Sequence, residues 1–489
     1  MKKRSTRTAG ALALVLTAAL AVTACGSESG SGNEGTAEKP VNLIWYTIGA
    51  PQKDTDKVMA EVSKYTAEKI GATVTMKQID YGDYNQKMGV MAASGEPMDL
   101  LFTASWAFDY VQNARKGAFL EIDDLLKSHG QGIVDALDPA FLEGSKVDGH
   151  NYGIPANKEL PAQSVWRFNK QQLDQLGLDY KQATTLESLE PFLKAAKEKL
   201  PGVLGLKMDS NFNPVVPYDY LIQGLPMGVA LNGDSSKVIN VLETPEMKQA
   251  LETMHKYYKA GYISPEAATT TSTGDLEKTG KWLIDKADTQ PLADNTWSTS
   301  LGYPIVSTPA GESIVYNWSV MGSMQAISAN SEYPEKAMEF LNLLNTDAKL
   351  RNLIDSGIEG THYKLTGDNR MENLPESKNY DMPTFSLGNV MLTYLNPGDP
   401  DDKWEQFKQF NEQGRPSPAL GFNFDTSKVS TELASLQNVK AEVWAPLMTG
   451  TVDPATYLPR AIEKLNAAGL DRIIAEAQTQ YDAWKASQK

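Results

Sequence analysis

The chain has 489 residues, among them 46 Lys and Arg, 61 Asp and Glu, four His and one Cys, and 41% of it is hydrophobic. That length calls for two or more domains, and that apolar content excludes a mainly disordered chain. A formal net charge of −15 excludes the cationic surface that nucleic-acid binding needs, and one Cys excludes both an intrachain disulfide framework and a Cys-rich metal site.

Residues 1–24 stand apart from the rest of the chain. Lys2, Lys3, Arg4 and Arg7 precede an apolar run over 11–22. The run is too short to span a bilayer comfortably and ends in small residues, the pattern of an export signal. The exit Val22-Thr23-Ala24-Cys25-Gly26 resembles a bacterial lipobox, with Cys25 placed to become the new N-terminus and carry a diacylglycerol. Two acyl chains anchor stably where one does not. Residues 25–40 are the lipidated Cys and a Ser/Gly/Glu-rich stretch with no apolar face, a flexible tether. No later apolar run is long enough to cross a membrane. The expected product is exported and held on the extracellular face of the cell membrane.

From residue 41 strand-like and helix-like pieces alternate. Residues 41–47 read as a buried strand, and 53–70 place Val58, Met59, Val62, Tyr65 and Ile70 at helical spacing. Gly71 closes that helix. A strand over 72–79, a helix over 81–94 and a strand over 98–102 come next, an order that implies a parallel sheet covered on both faces. Ligands bind such sheets beyond the carboxyl ends of the strands. Further along, 122–128 is helical, 149–155 a hairpin out of the first lobe, 165–169 a strand and 170–176 a helix. Helices are predicted over 188–200, 245–260, 274–284 and 334–345, with an extended apolar stretch over 313–327. A final helix is predicted over 459–485.

Several local motifs point one way. Tyr152-Gly153-Ile154-Pro155, then Trp166-Arg167-Phe168-Asn169-Lys170, Gly357-Ile358-Glu359-Gly360-Thr361-His362-Tyr363 and Ser417-Pro418-Ala419-Leu420-Gly421-Phe422-Asn423-Phe424-Asp425 occur in this order behind the lipobox. Asn438-Val439, Leu447, Thr449-Gly450 and Asp453-Pro454 continue the series. The chain resembles bacterial extracellular solute-binding lipoproteins of ABC importers, of family 1 and the carbohydrate type, in a Gram-positive subfamily. The resemblance covers nearly the whole chain. It implies an α/β, two-lobed, periplasmic-binding-protein-like fold (type II-like) with an interlobe hinge that closes on a solute. The lobes are expected as 41–160 (lobe 1), 161–315 (lobe 2), 316–360 (return to lobe 1) and 361–489 (a helical part completing lobe 2 and the hinge). The partners it implies are a small solute, a carbohydrate, and the permease subunits of an ABC importer, with the chain itself a monomer.

Sugars are held by aromatic faces and planar polar side chains, so the candidates lie where those meet. Of Trp45 and Tyr46 at the end of the first strand, one should face the cleft, and Tyr46 is favoured. Trp106 lies at the same mouth, against packing on the helix it starts. Asn157 and Glu159 come just after the first crossing, with a solvated loop carrying a salt bridge as the alternative. Asn295-Thr296-Trp297 and Asn317-Trp318 set Asn close to Trp in segments read as loop or crossing strand, and Trp318 reads equally as core. Glu359 and Tyr363 lie in a glycine-flanked loop with His362, read as a structural histidine, and Trp404 as a rim residue. Trp444 and Trp484 read as core.

Catalysis finds little support, with no Gly-x-Ser-x-Gly and no His-Glu-x-x-His. No cofactor and no metal are expected, and the chain is read as a binding protein, not an enzyme. The alternatives are a peptide- or amino-acid-binding receptor, a lipoprotein that presents ligand to a sensor or aids extracellular folding, and, last, a polysaccharide-degrading enzyme.

Overall fold

The computed structural model describes residues 39–488. The expected export signal, Cys25 and the tether up to residue 38 lie outside them. Strand β1 (Val41–Ile48) has β2 (Ala72–Ile79) and β3 (Leu100–Thr103) parallel on its two sides. The helix Thr55–Ile70 joins β1 to β2, burying Val58, Met59 and Val62, and Gly71 closes it by donating its N–H to Ala67 O. After β4 (Gly153–Pro155) the chain leaves this sheet and enters a second one at β5 (Ser164–Asn169). Next come β6 (Leu204–Leu206), the meander β7 (Tyr218–Tyr220), β8 (Met227–Ala230) and β9 (Ile239–Asn240), then β10 (Trp282–Asp288) and β11 (Ile305–Pro309). Strands β12 (Ile314–Val315) and β13 (Met324–Ile327) lead back, β14 (Tyr363–Gly367) and β15 (Arg370–Asn373) form a hairpin, and β16 (Arg415–Pro416) comes last.

Two main sheets result, with orders β2-β1-β3-β13-β4 and β11-β5-β10-β6. Each carries its own lobe. The first core holds Leu43, Trp45, Phe102, Met338 and Phe340. The second lobe has two cores, one under its sheet around Trp166, Phe168 and Leu193, and one between the meander and the C-terminal helices around Met227, Leu436 and Tyr481. The chain passes between the sheets over residues 156–163 and 310–323. At the second passage β12 pairs in parallel with β16, which tethers the C-terminal part to the crossing.

The structure corrects five expectations. Inside the stretch 313–327, expected as extended, Asn317–Val320 form a short helix. The helix predicted over 274–284 ends at Thr279, and β10 begins at Trp282. The apolar run Trp282-Leu283-Ile284 fits a helical pattern, but Gly280, at φ +66°, ends the helix before it. The final helix is two, Pro454–Ala467 and Leu470–Ser487, parted at Gly469. Residues 293–301, read as a loop, are helical. Part of the stretch assigned to lobe 2 belongs elsewhere, since Tyr380, Met382 and Leu387 pack into the first core.

Candidate functional site

A cavity of about 480 Å³ lies where the chain crosses between the lobes. Its aromatic wall is Tyr218 and Tyr220 of β7, Tyr316 and Trp318 of the second crossing, and Trp444 of the helix Ser430–Met448. Alternation along β7 puts both tyrosines on one face and sends Asp219 to the other. Asp219 is buried, and its Oδ2 accepts a hydrogen bond from Ser417 Oγ. Burial pushes its carboxyl up to about 7 against the opposing pull of that hydroxyl. Tyr316 and Trp318 stack with ring centroids 5.4 Å apart and planes 14° from parallel. Trp444 is fixed by its Nε1, which donates to Asn213 Oδ1 at 2.7 Å. Between the rings stand polar groups: Ser164, Asn213, Gln223, Lys286 and Asp288. Ser164 Oγ donates to Asp288 Oδ1 at 2.8 Å.

Across the crossing, the first lobe shows an aromatic shelf. Trp106, just after β3, is 49% exposed and Tyr81 is 48% exposed, and their rings stack at 6.5 Å and 15°. Trp106 Nε1 donates to Gly322 O at 2.8 Å, so the indole is held against the end of the second crossing. Among the described residues these are the two most exposed large aromatic rings, and Trp106 is tied to the crossing whose Trp318 lines the cavity.

Residues 60–358 match the family model described as bacterial extracellular solute-binding protein. The chain belongs to that family. Residues 418–486 of this solute-binding protein match a domain of unknown function, DUF3502. The chain is 34% identical over 488 residues to a carbohydrate ABC transporter substrate-binding protein of Streptococcus pneumoniae, covering 98% of each. Its fold matches the crystal structure of the N-glycan transport solute binding protein NgtS of Streptococcus pneumoniae with a TM-score of 0.85 and 33% identity, covering 92% of this chain and 100% of that one. The same protein in complex with Man5GlcNAc matches with a TM-score of 0.70 and 33% identity over 92% of this chain and 99% of that one.

The solute-binding protein brings only part of the sequence-derived set to this region. Trp318 lines the cavity and Trp106 forms the shelf. Tyr46 is buried, with its hydroxyl accepting from Lys77 Nζ at 2.9 Å; Trp45 is buried as well, donating to Gln325 Oε1, so the end of β1 offers neither ring to a cleft. Asn157 is buried and donates to Ala136 O, and Glu159 is paired with Lys158 at 2.5 Å. Asn295 is exposed on the helix Ala293–Leu301. On that helix Trp297 covers Arg167, whose Cζ lies 5.1 Å from its ring centroid. Asn317 has its amide spent: it donates to Ala419 O and Phe422 O and accepts from Gly421 N–H. Glu359 is exposed, Tyr363 is buried against Tyr394, and Trp404 donates to Thr393 O.

Two motifs that carried the resemblance prove to be braces. Within Gly357–Tyr363 the buried His362 accepts from Ile358 N–H on Nδ1 and meets Asp54 through Nε2 at 3.1 Å. Gly357 has φ +87°, and a Cβ there would lie 2.5 Å from His362 Nδ1, so only glycine closes the loop on that ring. Within Ser417–Asp425, Ser417 holds Asp219, Asn317 clamps three backbone groups, and Phe422 and Phe424 enter the C-terminal core. Glu121, Asp123 and His150 also approach one another, as an exposed ion-pair group in which His150 Nδ1 lies 3.0 Å from Glu121 and 3.2 Å from Asp123.

Sequence reasoning missed Tyr218, Tyr220 and Tyr316, and it read Trp444 as core, where Trp444 does pack while also lining the cavity. A usable signal existed for the first two. Tyr-Asp-Tyr, after a proline-rich loop, alternates with the period of a strand and presents two rings on one face.

Proposed function

We propose that this chain captures an oligosaccharide outside the cell and delivers it unchanged to the permease of an ABC importer. The observation that carries this reading is the cavity itself, in which five aromatic rings alternate with hydrogen-bonding side chains at the passage between two lobes. Ring faces match the C–H surfaces of a pyranose, and the amide, hydroxyl and charged groups match its hydroxyls. The volume falls within the range of about 300–1,000 Å³ usual for small-molecule sites. On this reading Trp318, Trp444, Tyr218, Tyr220 and Tyr316 are the second-lobe wall, and Trp106 with Tyr81 is the shelf that closes over bound solute.

Closure on the hinge is part of the proposal. This chain matches the NgtS structure with a TM-score of 0.85 and the Man5GlcNAc complex of the same protein with 0.70, a difference that supports a solute-dependent change of conformation. The present chain is nearer the first, in keeping with an open receptor whose population a solute shifts. Cys25 provides the lipid anchor, and the receptor works as a monomer. Among the described residues no helix is long and apolar enough to cross a membrane.

Thermal-shift measurements on the purified protein against oligosaccharides and peptides test this. A ligand at a hundredfold excess over its Kd stabilises by about 2.7 kcal/mol. Stabilisation by an oligosaccharide is expected; stabilisation by peptides and by no sugar would make the chain a peptide receptor instead.

A further inference from the structure

Two lysines at the cavity, one in its wall and one over its rim, make no ion pair among the described residues. On β10 the side chains alternate, and Asp285 faces a network in which Arg167 and Lys207 are each paired with both Glu277 and Asp285. Lys286, the next residue, turns to the opposite face and lines the cavity. No carboxylate oxygen among the described residues lies within 4.0 Å of its ammonium and no hydrogen bond reaches it; the ring of Phe212 lies 5.8 Å from Nζ to centroid. Burial lowers its pKa, while Asp288, farther off, opposes that shift. Lysines in protein walls are ordinarily solvated or paired. Lys286 is neither.

A second cation repeats the pattern at the rim. Lys440, on the helix Ser430–Met448, stands over Gly224 of the cavity wall, where a Cβ would come within 2.6 Å of its Nζ. It too is half-buried and without an ion pair among the described residues. Of the two carboxylates of the wall, Glu312 has an ion pair and the exposed Asp288 has none among the described residues. Glu312 binds Arg415 at 2.6 Å and accepts from Asn232, and Asp288 accepts from Ser164. Lys286, Lys440 and Arg415 outnumber Asp288 and Glu312 by one at this wall and rim, in a chain whose net charge is −15.

We propose that Lys286 and Lys440 receive an anionic substituent of the solute, a carboxylate or a phosphate carried on the oligosaccharide. The inference rests on the oligosaccharide reading and narrows it. It also gives the C-terminal domain of unknown function a role, since Trp444 and Lys440 both come from it. An ammonium in a partly dry wall binds an anion more strongly than a hydroxyl, through a charge-assisted hydrogen bond.

Titration calorimetry on the full chain with matched pairs tests this: sialylated and asialo biantennary N-glycan, trimannuronate and mannotriose, phosphorylated and plain Man5GlcNAc. The acidic member of at least one pair is expected to bind tenfold or more tighter than its neutral partner, and Lys286→Met to bring that ratio close to one. The first two pairs read a carboxylate and the third a phosphate. Lys440→Gln, at the exposed rim, provides a second variant should Lys286→Met unfold, and is expected to reduce the same ratio. Neutral members binding as tightly as acidic ones, or a ratio that survives both substitutions, would overturn the proposal and leave oligosaccharide capture standing. Absence of binding by every sugar, with binding of peptides, would overturn both.

Discussion

Removing Trp297 separates a structural role from a solute-binding one. Its ring covers Arg167, which also packs 5.4 Å from the Trp282 ring and donates to Asp285 at 2.9 and 2.6 Å and to Glu277 at 2.5 Å. In Trp297→Ala the cation–π contact is lost, worth about 0.5–2 kcal/mol. Truncating a fully buried aromatic costs about 3–5 kcal/mol, and Trp297 is half-buried, so its apolar share is about 2 kcal/mol. Water also gains access to a buried ionic network whose charges attract less well once solvated. The sum is a loss of about 2.5–4 kcal/mol, or a fall in midpoint of about 5–16 °C for a lobe of this size. Urea denaturation and solute titration on the same variant check it. A lowered urea midpoint with solute affinity unchanged is expected; an unchanged midpoint with affinity lost would refute the reasoning and return Trp297 to the cleft.

Three further outcomes rest on particular residues. Asp219 titrates near 7 when folded and near 3.8 when unfolded, so folding takes up a proton between these values. Its contribution is therefore full below about pH 4 and lost as pH rises through 7; urea midpoints of Asp219→Asn should lack this decline. Gly450 has φ +71°, and a Cβ there would collide with the Met254 backbone, so Gly450→Ala should cost about 3 kcal/mol or more, read as a lowered thermal midpoint. Cys25→Ser should release the protein from membranes without altering its thermal midpoint, and fractionation that finds it still membrane-bound would remove the lipid anchor.

How much could be read ahead of the structure depends on how far each signal reaches along the chain. The β1-to-β3 segment was legible because helix and strand periods alternate there over short spans, with Gly71 and Gly95 ending the helices. The start of β10 was not, because three apolar residues after Gly280 fit a helix as well as a strand and only pairing with β5 decides between them. The site suffered more, since its walls come from residues 162–164, 213–231, 286–288, 310–318 and 444, and no local pattern joins them. Asn317 illustrates the limit: beside a tryptophan it reads as a sugar ligand, yet its amide is consumed by a segment about a hundred residues away. The motifs that gave the family were legible for a different reason. They are the braces around His362 and Ser417, where glycine geometry and buried hydrogen bonds admit few alternatives.

The central claim, that the cavity at the crossing holds an oligosaccharide against its aromatic wall, is tested most directly by tryptophan-fluorescence titration of the wild type and Trp318→Ala with the oligosaccharide that gives the largest thermal shift. Trp318 and Trp444 line the cavity, so a bound sugar reports on itself. The account expects a saturable fluorescence change in the wild type and at least a tenfold weaker Kd in Trp318→Ala. Saturable binding with the same Kd in both proteins would contradict it.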